Sequence, residues 1–311
     1  MMLGGVLVLS GVIAEADTFG TGANGFTLDF VPIGNAGNGN DAGAGGGSYS
    51  SPYGGVAYDY RMGVNEISQT AINAAVAGGL TGMPAGSWTG NQPSANINWF
   101  QAAAFTNWLN TSTGHVAAYQ LDAGLTALTL WSSGEAWQVG GENLYRNKDA
   151  YYFLTSENEW YKAAYQQNDG VTANYWDYAT ASNSMPTAVG SGTGVGTAVY
   201  NEVASVPASV FTDGGLSPYG TMGQGGNVYE WTESAYDGIN NSPSASRGIR
   251  GGDWGGTGNF LRSSSRGHYA PSYSSGYVGF RVASVPEPSA VVLMIGAGVL
   301  ALARRRTRVA L

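Results

Sequence analysis

The sequence predicts an irregular α+β domain in which a few helices and short strands are joined by long loops. Of its 311 residues, 49 are glycine, more than double the usual share of ~7 %. They gather with Asn and Ser at 34–55, 78–94, 182–197 and 213–226, which read as loops. Yet 9 Trp, 19 Tyr and 9 Phe supply the apolar surface that a packed core needs and disordered chains lack. The glycines follow no three-residue period, which excludes a collagen-like rod.

Taken in order, the chain opens with an apolar run from Leu3 to Ile13, followed by Ala14-Glu15-Ala16, the small-x-small spacing of a signal-peptidase site. A secretory signal over 1–16, cut before Asp17, is the expectation. No positive charge precedes the run, so a start further upstream or a first buried strand are the alternatives. Strands are expected at Gly25 to Ile33, Val56 to Met62 and Val278 to Ala283. Asn98 and Gln101 form a capping-box pair ahead of Trp99, Ala102, Phe105 and Leu109, spaced as one helix face. Ser156 and Glu159 do the same ahead of Trp160, Ala163 and Ala164.

The net charge is −8, with Arg304, Arg305, Arg306 and Arg308 crowded at the C-terminus. Residues 17–283 hold 19 acids against nine bases, a balance that repels phosphate backbones and argues against a nucleic-acid partner. There is no cysteine and there are two histidines, His115 and His268. Disulfides, thiolate metal sites and a three-histidine centre are therefore impossible. Glu157 and Glu159 lie two apart on one helix and point about 200° apart, so they cannot act as a carboxylate pair. Gly192 to Gly196 has neither a following helix nor a Lys and reads as a loop rather than a phosphate cradle. Asn38, Asn40 and Asp41 resemble one copy of a calcium repeat, which without a stacked partner is a turn. No catalytic residue is assigned.

Several blocks then fall in a telling order. They are Tyr58 to Gly63, Asn96 to Phe100, Leu154 to Trp160, Gly225 to Trp231, Arg250 to Trp254, Leu261 to Ser263 and Gly279 to Val282. The series resembles the formylglycine-generating enzyme (sulfatase-modifying factor) family. That resemblance implies a variant of the C-type lectin fold over 17–284. It also implies, for oxidising members, a copper-binding cysteine pair in the stretch that here reads Gly255 to Phe260. Without a soft sulfur ligand that copper chemistry is excluded, and two histidines cannot build the iron site of other relatives. The family's calcium loop would place a ligand set at Glu230 with the carbonyls of Gly226 and Val228, and a second site beginning at Asn201. The side-chain ligand expected three residues before Gly226 is replaced by Gly223. Calcium and a buried, hydrogen-bonded Glu230 stand as equal alternatives.

The remaining candidates for ligand contact are Trp254, Arg266, His268, Tyr269, Tyr273 and Tyr277, in the segment that lines the ligand-facing side of lectin-fold relatives. Tyrosines alternating with Ser272, Ser274, Ser275 and Gly276 combine rigid rings with small adaptable neighbours, as paratopes do. The alternative is that the rings fill the core, above all Trp254. Finally, Pro286-Glu287-Pro288, an uncharged run from Ser289 to Ala303, and Arg304-Arg305-Arg306 resemble the PEP-CTERM sorting signal. It implies an exosortase partner, passage through the inner membrane by residues 285–311, and a Gram-negative cell envelope or matrix. The expected function is a non-catalytic surface binding module contacting exopolysaccharide or a protein. An enzyme of the family with cysteine-free chemistry and a purely structural envelope protein are the alternatives.

Overall fold

Two sheets share one long aromatic core in the computed structural model, which describes residues 14–43 and 52–286. The apolar leader up to Ile13 and the sorting-signal residues Glu287, Pro288, Arg304, Arg305 and Arg306 lie outside the described residues. Nine strands build the sheets: β1 (Glu15–Phe19), β2 (Phe26–Ile33), β3 (Tyr60–Gly63), β4 (Tyr152–Leu154), β5 (Tyr229–Ala235), β6 (Arg247–Arg250), β7 (Gly267–Tyr269), β8 (Val278–Gly279) and β9 (Val282–Ser284). The five-stranded sheet runs β1-β2-β3-β9-β4, all antiparallel, and the four-stranded sheet runs β7-β6-β5-β8 with β5 and β8 parallel. Shorter pairs join 120–121 to 128–129, 136–137 to 143–147 and 187–189 to 197–199.

The period-2 pattern of β2 buries both faces of the five-stranded sheet. Phe26, Leu28 and Phe30 face the main core with Phe105, Leu109, Trp231 and Phe280, while Val31 and Ile33 join Met62, Phe153 and Ala163 on the other side. The helices α1 (Gln69–Ala77), α2 (Trp99–Ser112) and α3 (Glu157–Tyr165) begin at caps. Both expected capping boxes form: Gln101 N donates to Asn98 Oδ1 at 2.9 Å, and Glu159 N to Ser156 Oγ at 3.2 Å. The sequence reading missed α1, whose cap is Ser68 Oγ accepting from Ala71 N without a reciprocal side chain.

Three expectations need correction. Residues 56–59 are irregular, and the strand there is confined to β3. The loop expected at 182–197 contains a short strand, Thr187–Val189. The single strand expected over Val278 to Ala283 is two, β8 and β9, in different sheets. The break falls at Phe280 and Arg281, where Ile67 N donates to the Phe280 carbonyl and the Arg281 side chain turns inward. At the other end, Ala14-Glu15-Ala16 runs into β1, and a cut before Asp17 would leave Asp17–Phe19 paired with Phe26–Leu28.

Candidate functional site

Several charged residues of the aromatic blocks pair with one another. Arg281 donates from Nε to Glu230 Oε2 and from Nη2 to Oε1, each at 2.6 Å, and Trp160 Nε1 donates to Oε2 at 2.8 Å. Both residues are fully buried. A calcium ion at Glu230 would share its carboxylate with a guanidinium at hydrogen-bond distance, so the calcium arrangement does not fit this chain. The space above Gly223, where the relatives' side-chain ligand would project, is filled by the Asp213 carboxylate, which sits against the position a Cβ would take. Asn201 lies elsewhere, its N–H donating to the Gly256 carbonyl, while the Gly226 N–H donates to Gly251 and the Val228 N–H to Glu66.

Sequence reasoning also missed Arg146, whose guanidinium binds Glu159 at 2.8–2.9 Å and Glu233 at 2.7–3.0 Å. Burial alone would raise Glu159, but Arg146 and Tyr58 hold its carboxyl below the usual range. Glu233 is raised by burial more than the shared Arg146 lowers it. Glu157 is clamped by Arg250 and Arg266. Capping was therefore only part of what the two α3 acids do. The available signal was that a chain only 11 % charged places acids and arginines inside its aromatic blocks.

The stretch that carries the relatives' reactive cysteines is structural here. Asp253 Oδ1 accepts from Gly255 N and Gly256 N at 2.8 Å each, a helical 3-10 turn spans Gly258–Leu261, and Met185 packs on Gly258 so closely that a Cβ there would lie 2.5 Å from its Sδ. None of these residues lines any of four cavities found among the described residues. The first of those cavities, about 300 Å³, lies beside Tyr53, Tyr58, Trp137, Arg146, Glu157 and Asn158. Of its charged members, Arg146 and Glu157 are already paired. His115 stacks on Tyr151 at 4.5 Å, and Asn38 and Asn40 tie their loop to Gly54, Gly55 and Val56.

The aromatic candidates divide. Tyr269, Tyr273 and Tyr277 are 38 %, 39 % and 44 % exposed. Tyr269 and Tyr273 stack with ring centroids 3.9 Å apart, and Tyr277 stacks on Trp254 at 5.1 Å. Tyr229 and Trp231, on one face of β5, pack against Phe260 and Tyr269 respectively. Two members are corrected. Trp254 is 8 % exposed and backs Tyr277 instead of presenting its own face. Arg266 is turned inward, its Nε and Nη2 on Glu157 at 2.8 and 2.6 Å, because a buried carboxylate needs that charge. His268 is exposed and packs on Tyr236 at 4.1 Å.

Solved structures share this architecture. Treponema denticola variable protein 1 aligns over 87 % of this chain and 99 % of its own at 22 % identity and a TM-score of 0.59. PvdO from Pseudomonas aeruginosa aligns over 87 % and 98 % at 18 % identity and 0.52, and CarF over 84 % and 99 % at 17 % and 0.54. No curated protein matches the chain. Residues 284–308 match the PEP-CTERM protein-sorting motif, which points to export through an exosortase system to the cell envelope of a Gram-negative bacterium. Among the described residues no helix is long and apolar enough to cross a membrane. Residues 58–285 match the Sulfatase-modifying factor enzyme 1-like domain, and on that match together with the fold the chain belongs to this family, as a member without the catalytic cysteines.

Proposed function

We propose that the protein is a non-catalytic binding module of the cell surface or extracellular matrix, exported and sorted by an exosortase, whose exposed aromatic face contacts the cell's own exopolysaccharide. The observation that carries the reading is the pair of half-exposed stacks, Tyr269 on Tyr273 and Tyr277 on Trp254. Flat rings with polar edges and small neighbours suit saccharide faces, and Tyr pays little entropy for fixing its ring. Before processing, residues 285–311 would hold the chain at the inner membrane with its basic cluster inside. Val285 still bonds the Tyr151 carbonyl, so the tail leaves the domain directly after β9.

Deleting residues 285–311 should release the protein into the medium. Persistent envelope retention would contradict the tail as the sorting element. Binding is tested by retention on the exopolysaccharide of wild type against a variant with Ala at positions 269, 273 and 277.

A further inference from the structure

We infer that the cavity of about 300 Å³ lined by the loops at 52–58, 137–143 and 234–240 and the start of α3 is a second binding site, one that takes a single neutral hexose residue. None of Tyr269, Tyr273 and Tyr277 lines it, so the site stands apart from the tyrosine face. Its volume lies at the low end for small-molecule sites and gives room for one ring-sized ligand. Tyr58 and Trp137 supply carbon surface to the wall, meeting edge to face with ring centroids 5.0 Å apart. Their polar ends are already used, Tyr58 Oη donating to Glu159 at 2.6 Å and Trp137 Nε1 to the Val139 carbonyl at 2.9 Å.

Two lining amides are fixed with their donors free. Asn158 Oδ1 accepts from Gly54 N at 3.1 Å and Asn240 Oδ1 from Ala235 N at 2.9 Å, while neither Nδ2 has an acceptor among the described residues. A backbone N–H only donates, so it settles which end of each side chain is the oxygen. Ser156 and Ser234, also in the lining, accept from Glu159 N at 3.2 Å and Glu157 N at 2.9 Å and keep their hydroxyl protons. Glu142 supplies the acceptor: it is exposed, lacks a basic partner among the described residues, and meets Gln138 Nε2 at 3.4 Å.

This mixture of free donors and one free acceptor selects the ligand. Hydroxyl groups both donate and accept, so a hexose can use the amides and Glu142 together while its C–H surface meets the rings. A carboxylate or phosphate only accepts, and would meet Glu142 as a like charge. An ammonium only donates and would leave the amides unpaired. The buried charges favour neither ion, because Arg146 between Glu159 and Glu233 leaves an excess negative charge that Glu157 between Arg250 and Arg266 offsets.

The test is an NMR titration of the full chain with the methyl glycosides of glucose, galactose and mannose, and with sodium glucuronate and tetramethylammonium chloride as charged probes. At least one neutral glycoside should bind, about five-fold or more tightly than either charged probe. Asn158→Asp and Asn240→Asp keep the oxygen that accepts from the backbone and lose the NH₂ group, and each should weaken that glycoside about three- to ten-fold. Glu142→Gln should narrow the discrimination against glucuronate. Should the Asp variants misfold, the exposed Glu142→Gln still decides through that ratio. Binding of no glycoside, or unchanged affinity in both folded amide variants, would overturn the site and leave the tyrosine face, read by retention on polysaccharide, standing. Tighter binding of glucuronate or of tetramethylammonium would overturn the hexose assignment.

Discussion

Arg281 caps both carboxylate oxygens of Glu230 at 2.6 Å, at the position where the family resemblance would place a calcium ligand. The guanidinium also donates to the carbonyls of Gly63, Val64 and Met222, so one side chain joins β3, β5 and the segment before β9. Removing it would leave a buried carboxylate without a counter-charge. Arg281→Met should cost about 3–5 kcal/mol in urea unfolding. A chelator should leave the melting temperature of the wild type unchanged, because the cation at Glu230 is part of the chain.

The Asp213 carboxylate that fills the space above Gly223 lies beside Glu66, and Asn227 Nδ2 donates to both acids, at 2.5 Å to Glu66 and 3.3 Å to Asp213. Burial, then repulsion from Asp213 and Glu230, opposed by Arg281, raises Glu66; burial, against Arg281, raises Asp213 to about 7. Both folded-state values exceed the unfolded ones, so this stabilisation is complete below the ordinary carboxylate range and is lost as pH rises through about 7. Stability should fall by about 2–4 kcal/mol between pH 5 and 8. Asp213→Asn should flatten that slope, and a slope that persists in the variant would count against the pair.

Arg61 makes a clasp at the chain ends. Its Nη atoms donate to Asp17 at 2.7 and 3.1 Å, and its Nε donates to Ser284 Oγ at 2.9 Å. A chain beginning at Asp17 keeps this pair, whereas one beginning at Thr18 should be less stable by about 1–3 kcal/mol. Comparing the two in thermal melts, with N-terminal sequencing of the exported protein, checks both the clasp and the cut site.

Glycine has two different meanings in this chain. Gly226 has φ of 101° and a Cβ there would strike the Val199 carbonyl, whereas Gly37, at φ of 82°, has nothing within 4 Å of that position. Gly226→Ala should cost clearly more than Gly37→Ala, which should stay near 1 kcal/mol. Equal costs would mean that backbone conformation alone, and not close packing, fixes both positions.

The helices α2 and α3 were legible because each announces itself with a reciprocal cap, Asn98 with Gln101 and Ser156 with Glu159. Helix α1 offers only Ser68 and a run of small residues, a pattern that also suits a loop. The split between β8 and β9 depends on Arg281 finding Glu230, 51 positions earlier, and a short apolar run carries no record of such a long-range pairing. The same limit explains Arg266: its charge suggested a ligand, but Glu157, far away in sequence, claims it. The exposed tyrosines were legible from their company of Ser and Gly, while the backbone tie between the loops at 200–202 and 253–256 emerges only in the fold.

The most direct test of the account compares retention of wild type and the Tyr269→Ala, Tyr273→Ala, Tyr277→Ala triple variant on the cell's own exopolysaccharide, with melting temperatures measured alongside. The account predicts that retention is lost while the melting temperature stays within a few degrees, because these rings are more than a third exposed. Unchanged retention in a folded triple variant would contradict it.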